Sequence, residues 1–199
     1  DACGVGLIAS TEGKKSRAIV EYGIEALKAV WHRGAVDADG KTGDGAGIHV
    51  EIPKDFFIEK IQVTGHDYDN SEICVGMIFL PRNDYSAQES CKTIVESELT
   101  KNNFSIYGWR QVPVNPKVLG EKALQTMPEI IQVLFKPNDP NLLDKNLERK
   151  IYEIRKRIEN KAFDASLNNF YICSISSKSI IYKGLYLAEA LSDFYLDLR

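Results

Sequence analysis

Apolar and polar positions along the chain switch repeatedly between a period of two and a period near 3.6, the signature of mixed strands and helices. Residues 3–9 form a short apolar run with two glycines, which predicts a strand covered on both faces. Ser16 then stands where it can cap a helix whose apolar positions Ile19, Tyr22, Gly23, Ala26, Leu27 and Val30 recur at helical spacing and end near Gly34. A Gly- and Asp-rich stretch, 34–47, leads into an alternating strand at 48–52, and Pro53 opens a short helix through Phe56, Phe57 and Ile61.

The alternation continues with a strand at 73–80, a helix at 85–100 carrying Ala87, Cys91, Ile94, Val95 and Leu99, and strands at 104–114 and 130–135. Asp139 and Pro140 read as cap and first-turn pair of a helix with Leu143, Leu147, Ile151, Ile154 and Ile158 on one face, reaching about Ala162. Two strands, 170–176 and 179–182, follow around a polar tight turn, and 187–195 reads as a final helix. Segments 63–71 and 136–141 suit surface loops. With no repeat, low-complexity segment or linker, one layered α/β domain is the economical reading. The wholly apolar strands call for sheets buried on both sides. Strand order is not fixed by the sequence.

Composition narrows the function. The 199 residues are 44% hydrophobic and 27% charged, enough for a sizeable core. A formal net charge of -3 and a pI near 5.7 leave no basic excess for a phosphate backbone, so nucleic acid is not an expected partner. No apolar run approaches the roughly 20 residues that cross a bilayer, and no signal-peptide pattern opens the chain, so no membrane association is expected. The four cysteines, at 3, 74, 91 and 173, form neither a CxxC pair nor a Cys/His cluster, so no metal site and no disulfide framework is expected. Cys74, Cys91 and Cys173 lie in apolar segments, where cysteine packs as a small hydrophobe.

Four features carry candidate chemistry: Cys3 with Gly4-Val5-Gly6, the His32-Arg33-Gly34-Ala35 element, the loop Thr42 to Gly47, and Gly108-Trp109-Arg110. Singly, each has a bland reading: a structural cysteine, cations at a helix C-terminus, glycines in a turn, and a core aromatic beside an exposed or ion-paired arginine. The glycine loop lacks the Walker lysine and feeds a strand, whereas a phosphate cradle feeds a helix N-terminus.

In order, however, Asp-Ala-Cys-Gly-Val-Gly-Leu-Ile-Ala at 1–9, Ala-Val-Trp-His-Arg-Gly-Ala at 29–35 and Thr-Gly-Asp-Gly-Ala-Gly-Ile at 42–48 make a specific set. The chain resembles the glutaminase domain of the glutamate synthase large subunit, a class II amidotransferase. The likeness continues through Pro53, 108–113 and 171–184. It implies an α+β fold, the four-layer α/β/β/α sandwich of N-terminal-nucleophile hydrolases, here truncated at its C-terminus. It also implies Asp1-Ala2 as a residual propeptide and residues 3–199 as the N-terminal part of the amidotransferase domain.

The same resemblance makes Cys3 the catalytic nucleophile once its α-amine is freed, Arg33 a substrate-binding or positioning residue, and Gly34 a site of close backbone approach. Two family elements, His-Ser-Arg-Phe-Ser-Thr-Asn and His-Asn-Gly, do not occur before Arg199. In relatives they supply the arginine for the glutamine carboxylate and the oxyanion hole, whose loss alone slows acyl transfer about 100-fold or more. The fragment alone is therefore expected to be inactive, a part of a longer polypeptide.

The implied partners are L-glutamine, the remaining synthase domains of the same polypeptide, and an NAD(P)H-oxidising small subunit or ferredoxin. FMN and an iron-sulfur cluster are implied for the full-length enzyme, with no cofactor expected in this fragment, and the implied location is bacterial cytoplasm or a plastid. The competing expectations are another class II amidotransferase and a catalytically inactive amidotransferase-like interaction module.

Overall fold

A computed structural model describes residues 4–30 and 34–199. Along the chain the elements are α1 (Arg17–Ala29), β1 (Ala46–Glu51), α2 (Lys54–Val63), β2 (Cys74–Leu80), α3 (Tyr85–Lys101), β3 (Phe104–Gln111), α4 (Glu121–Gln125), β4 (Glu129–Pro137), α5 (Asp144–Asp164), β5 (Tyr171–Ser176), β6 (Ser179–Gly184) and α6 (Leu191–Phe194). They gather into two compact units. One is Asp1–Val50 with Val112–Met127 and Ile181–Arg199, and the other is Glu51–Gln111 with Pro128–Ile180.

The second unit is built on a four-stranded sheet in the order β3-β4-β2-β5, every neighbouring pair antiparallel. Cys74, Ile78 and Leu80 of β2 and Val133 and Phe135 of β4 cluster with Cys91, Val95 and Leu99 of α3 and with Leu147, Ile151, Ile154 and Ile158 of α5. Alternate residues of the same strands, Val75, Met77 and Leu134, are also fully buried. The sheet is therefore covered on both faces, as its apolar strands predict. Each such side chain contributes about 1.5–3 kcal/mol of transfer free energy, so α3 and α5 are held by this face more than by intrinsic propensity.

The register slips in β3 between Ile106 and Gly108, leaving Tyr107 as the extra residue of a bulge. Gly108 takes φ +151°, and a Cβ there would sit 2.9 Å from Thr64 Cγ2. The bulge brings the Tyr107 hydroxyl to donate to Asp69 Oδ1 at 3.0 Å, and Asp69 Oδ2 also accepts from Lys136. That ties the loop after α2 to the sheet.

In the first unit, β1 belongs to a two-stranded sheet with β6. Its core includes Tyr186, Leu191, Phe194 and Tyr195, with Phe194 and Tyr195 ring centroids 4.8 Å apart in an edge-on contact.

The α+β expectation is met: the helices and antiparallel sheets occur in nearly the predicted order. The N-cap also falls where expected, the Ser16 side chain accepting from the Ala18 amide. Cys74, Cys91 and Cys173 are buried, as their apolar settings require.

Five local expectations need correction. The strand expected at 3–9 is absent over its described residues, which carry no strand pairing, and Val5 and Leu7 stand 92% and 88% exposed. Apolar character supplied propensity without a partner ladder, and the two glycines weaken an unpaired strand further. In α1 the predicted positions Ile19, Gly23, Ala26, Leu27 and Val30 are partly buried, but Tyr22 is exposed and the fully buried residue is Ile24, outside the predicted set.

The strand expected to reach Val114 stops at Gln111, since Pro113 cannot donate to a ladder; Val114 keeps only an isolated bridge to Tyr195. Asp139 caps no helix: its carboxylate accepts from the Asn141 amide in a turn, and α5 starts at Asp144. The final helix is present but tight, a 3-10 turn at Ala188–Ala190 running into α6, and it ends at Phe194 because Tyr195 becomes extended to reach Val114 and donates its hydroxyl to the Lys183 carbonyl at 2.9 Å. Tertiary pairing outweighs the small helix preference of so short a segment.

Candidate active site

Cys3, Arg33 and Gly34 are the site residues the sequence singles out. Cys3 and Arg33 lie outside the described residues. Gly34 is described and exposed, and it opens the loop 34–47 that carries the third motif.

This loop is an ordered hairpin. Val36 and Gly43 form an antiparallel bridge, and the Asp44 amide donates to the Ala35 carbonyl at 3.3 Å. Nearer the tip, the Asp37 amide donates to the Thr42 carbonyl and the Gly40 amide to the Asp37 carbonyl, each at 2.9 Å. Gly40 supplies the positive φ, 69°, that the reversal requires.

Asp39 organises the tip. Its Oδ1 accepts from the Lys41 and Thr42 amides at 2.9 and 2.7 Å, and its Oδ2 accepts from Thr42 Oγ1 at 2.5 Å. The Thr42 hydroxyl, then the Thr42 and Lys41 amides, hold the Asp39 carboxyl far below the usual carboxylate range. Thr42 is buried although its loop is mostly exposed, and its Oγ1 accepts from the Ala123 amide at 3.4 Å in the first turn of α4. Beside it, Lys122 donates to Asp37 Oδ2 at 2.6 Å, which lowers the Asp37 carboxyl and raises the lysine.

Three glycines let backbones meet here. A Cβ on Gly120 would lie 2.3 Å from both Asp39 Oδ2 and Thr42 Oγ1. A Cβ on Gly43 would meet the Tyr186 carbonyl at 2.7 Å, and one on Gly47 the Lys183 Cβ at 2.7 Å. Before the chain enters β1 the loop is thus anchored at Thr42 and Gly43. It feeds a strand, as the sequence implies, and its amides bond within the loop, so it is not an anion cradle.

Asp39 and Gly120 were not singled out from the sequence, and Thr42 was singled out only as the first residue of the third motif. The aspartate two and three positions ahead of its amide donors is the readable signal of an Asx-type turn. Gly120 carries no such signal, because its closeness to the loop is purely tertiary. Trp109 is partly buried against the core of the second unit. The indole donates to Glu96 Oε1 at 2.6 Å, while Arg110 donates to Gln132 Oε1 at 2.8 Å and stacks over Phe56.

The family model for class II glutamine amidotransferases matches residues 3–199. The chain belongs to the class II glutamine amidotransferases. Among curated proteins, it is 55% identical over its full length to the glutamate synthase [NADPH] large chain of Azospirillum brasilense, covering 13% of that protein. It is 40% identical to the ferredoxin-dependent glutamate synthase 1 of Arabidopsis thaliana and to the ferredoxin-dependent glutamate synthase of Pyropia yezoensis, again over its full length and covering 12% and 13% of them. The chain therefore spans about an eighth of the length of these amidotransferase relatives. Among the described residues no His, Cys, Asp and Glu group could hold a metal ion, and no helix is long and apolar enough to cross a membrane.

Proposed function

We propose that this chain is the nucleophile-bearing part of a glutamine-hydrolysing domain, with Cys3 as the catalytic residue. The observation that carries the reading is the full-length family match, which begins at Cys3. Its chemistry needs a free α-amine on that cysteine. Such an amine has a pKa of about 7.7–8.0, close to working pH, whereas a peptide nitrogen is not basic. Removal of Asp1-Ala2 would supply it.

The α-amine takes the thiol proton, and the sulfur attacks the side-chain amide carbon of glutamine. The C–N bond breaks, the proton passes to the departing nitrogen, and ammonia leaves a glutamyl thioester. Water then cleaves the thioester to glutamate and regenerates the thiol, so glutamine and water become glutamate and ammonia. Arg33 holds the site by its planar fork of donors, and Gly34 permits the backbone to approach.

The relatives' names support a further part of the proposal, that the chain works inside a glutamate synthase whose other domains use the ammonia on 2-oxoglutarate. FMN and an iron-sulfur cluster belong to those other domains. The described residues do not fit the cluster, since Cys74, Cys91 and Cys173 are sealed in apolar packing. An NAD(P)H-oxidising subunit or ferredoxin supplies the electrons, and the protein works in bacterial cytoplasm or a plastid.

The test treats the full polypeptide with diazo-oxo-norleucine, a glutamine-analogue electrophile, and maps the adduct by peptide mass spectrometry. An adduct on Cys3 and loss of glutaminase activity in Cys3→Ala are expected. No adduct on a Cys3 with a free amine would leave an inactive interaction module as the better reading. An active preparation whose intact mass retains Asp1-Ala2 would refute the maturation step.

A further inference from the structure

We propose that Asp39 is a positioning residue for glutamine hydrolysis, holding the hairpin 34–47 so that Gly34 is presented to the substrate in one conformation. The inference rests on the glutaminase reading above and deepens it.

Four separate observations converge on this one side chain. Its two carboxylate oxygens accept three hydrogen bonds within the loop tip, all at 2.9 Å or shorter. Its hydroxyl donor, Thr42, is buried and is itself engaged by the first turn of α4. Gly120 leaves just enough room for the carboxylate and the hydroxyl to meet, since any Cβ would stand 2.3 Å from both. At the open end of the hairpin, the Val36 to Gly43 bridge and the Asp44 to Ala35 hydrogen bond join the braced tip to the residue directly after Gly34.

An isolated structural turn would need none of the bracing from α4. The same geometry gives no cation site, because Asp39 is saturated by donors and Asp37 is engaged by Lys122.

Loosening the tip gives the hairpin alternative conformations, of which only a fraction presents Gly34 correctly. Apparent affinity for glutamine falls by that fraction, so a tenfold loss of the competent state raises KM about tenfold. The intrinsic reactivity of the nucleophile is untouched.

The experiment compares Asp39→Ala, Asp39→Asn and Gly120→Ala in the full polypeptide. It measures glutaminase kcat and KM, and the rate at which Cys3 reacts with iodoacetamide, a small reagent that needs no glutamine pocket. Asp39→Ala and Gly120→Ala should each raise KM about tenfold or more, with kcat and the iodoacetamide rate changed less than about threefold. Asp39→Asn retains one oxygen for the two amides and should recover part of the loss.

KM unchanged in Asp39→Ala and Gly120→Ala overturns the inference, as does a parallel fall in the iodoacetamide rate, which would mark general damage. If Asp39→Ala does not fold, an Asp39→Asn with wild-type KM overturns it equally. A wild-type protein without glutaminase activity overturns the underlying reading, and the inference with it. An active wild type with indifferent variants overturns the inference alone.

Discussion

Glu148 offers the sharpest test of how the chain turns from β5 into β6. The two strands follow one another in sequence but join different sheets, so the turn between them cannot rely on a shared hairpin ladder. It is held instead by one carboxylate from α5. Glu148 Oε1 accepts from the Ser177 amide and the Ser177 hydroxyl, both at 2.7 Å, and Oε2 accepts from the Ser176 hydroxyl at 2.9 Å. Ser176 Oγ in turn accepts from the Lys178 and Ser179 amides at 2.9 and 3.2 Å. Both serines are 7% exposed, so water cannot easily replace the carboxylate.

Glu148→Ala strands one amide and two hydroxyls. Each buried donor left without an acceptor costs about 1–3 kcal/mol, but the hydroxyls can rotate to other acceptors, which leaves a net loss of about 2–4 kcal/mol. At about 2–4 °C per kcal/mol for a chain of this size, Tm should fall by about 4–16 °C. Glu148→Gln keeps one oxygen and should lose about half as much. Thermal melts followed by circular dichroism decide the matter. A Glu148→Ala loss under about 1 kcal/mol, or a Gln variant as damaged as Ala, would refute the claim that this carboxylate organises the turn.

Cys74 and Cys91 should resist alkylation in the native chain at pH 8, since burial pushes the Cys74 thiol well up and the Cys91 thiol up to about 11; counting labels by mass spectrometry before and after guanidinium checks this. Burial, then the bond to Asp69, raises the Tyr107 phenol above its ordinary value near 10, so its contribution to stability is complete below about pH 10 and is lost only as pH rises further. Ultraviolet difference titrations of the wild type and Tyr107→Phe should differ by one late-ionising tyrosine, which the variant loses. Asp69 has the opposite sign: Lys136 holds it low, so the loop tie persists above about pH 3.9 and weakens as pH falls below it, which amide exchange of the loop would report. Gly76→Ala places a Cβ 2.7 Å from Val133 Cγ1 in the middle of the sheet, and overpacking of this kind should cost about 1–3 kcal/mol in a urea melt.

Periodicity made the second unit legible in advance. The spacing of Cys91, Val95 and Leu99, and of Leu147, Ile151, Ile154 and Ile158, names the helix faces that the sheet covers, because burial there follows from position within a single element. What could not be read was whatever depends on a partner distant in sequence. Residues 4–9 have strand composition and no ladder, Tyr195 leaves a helix to meet Val114, and β5 and β6 part company across a tight turn. Propensity is local, whereas pairing is decided by which edges are open.

The candidate site divides along the same line. Its candidate residues, Cys3, Arg33, Gly34 and the loop at 42–47, come from short contiguous motifs, and Cys3 and Arg33 lie outside the described residues. Its support was not legible, because Gly120 is brought against Asp39 and Thr42 by the path of the chain and carries no motif of its own. The loop's glycines likewise look in sequence like freedom to bend or to cradle an anion. In the structure Gly43 and Gly47 instead bring backbone close to Tyr186 and Lys183. Their role is close packing, in a stretch whose composition alone would suggest freedom to bend.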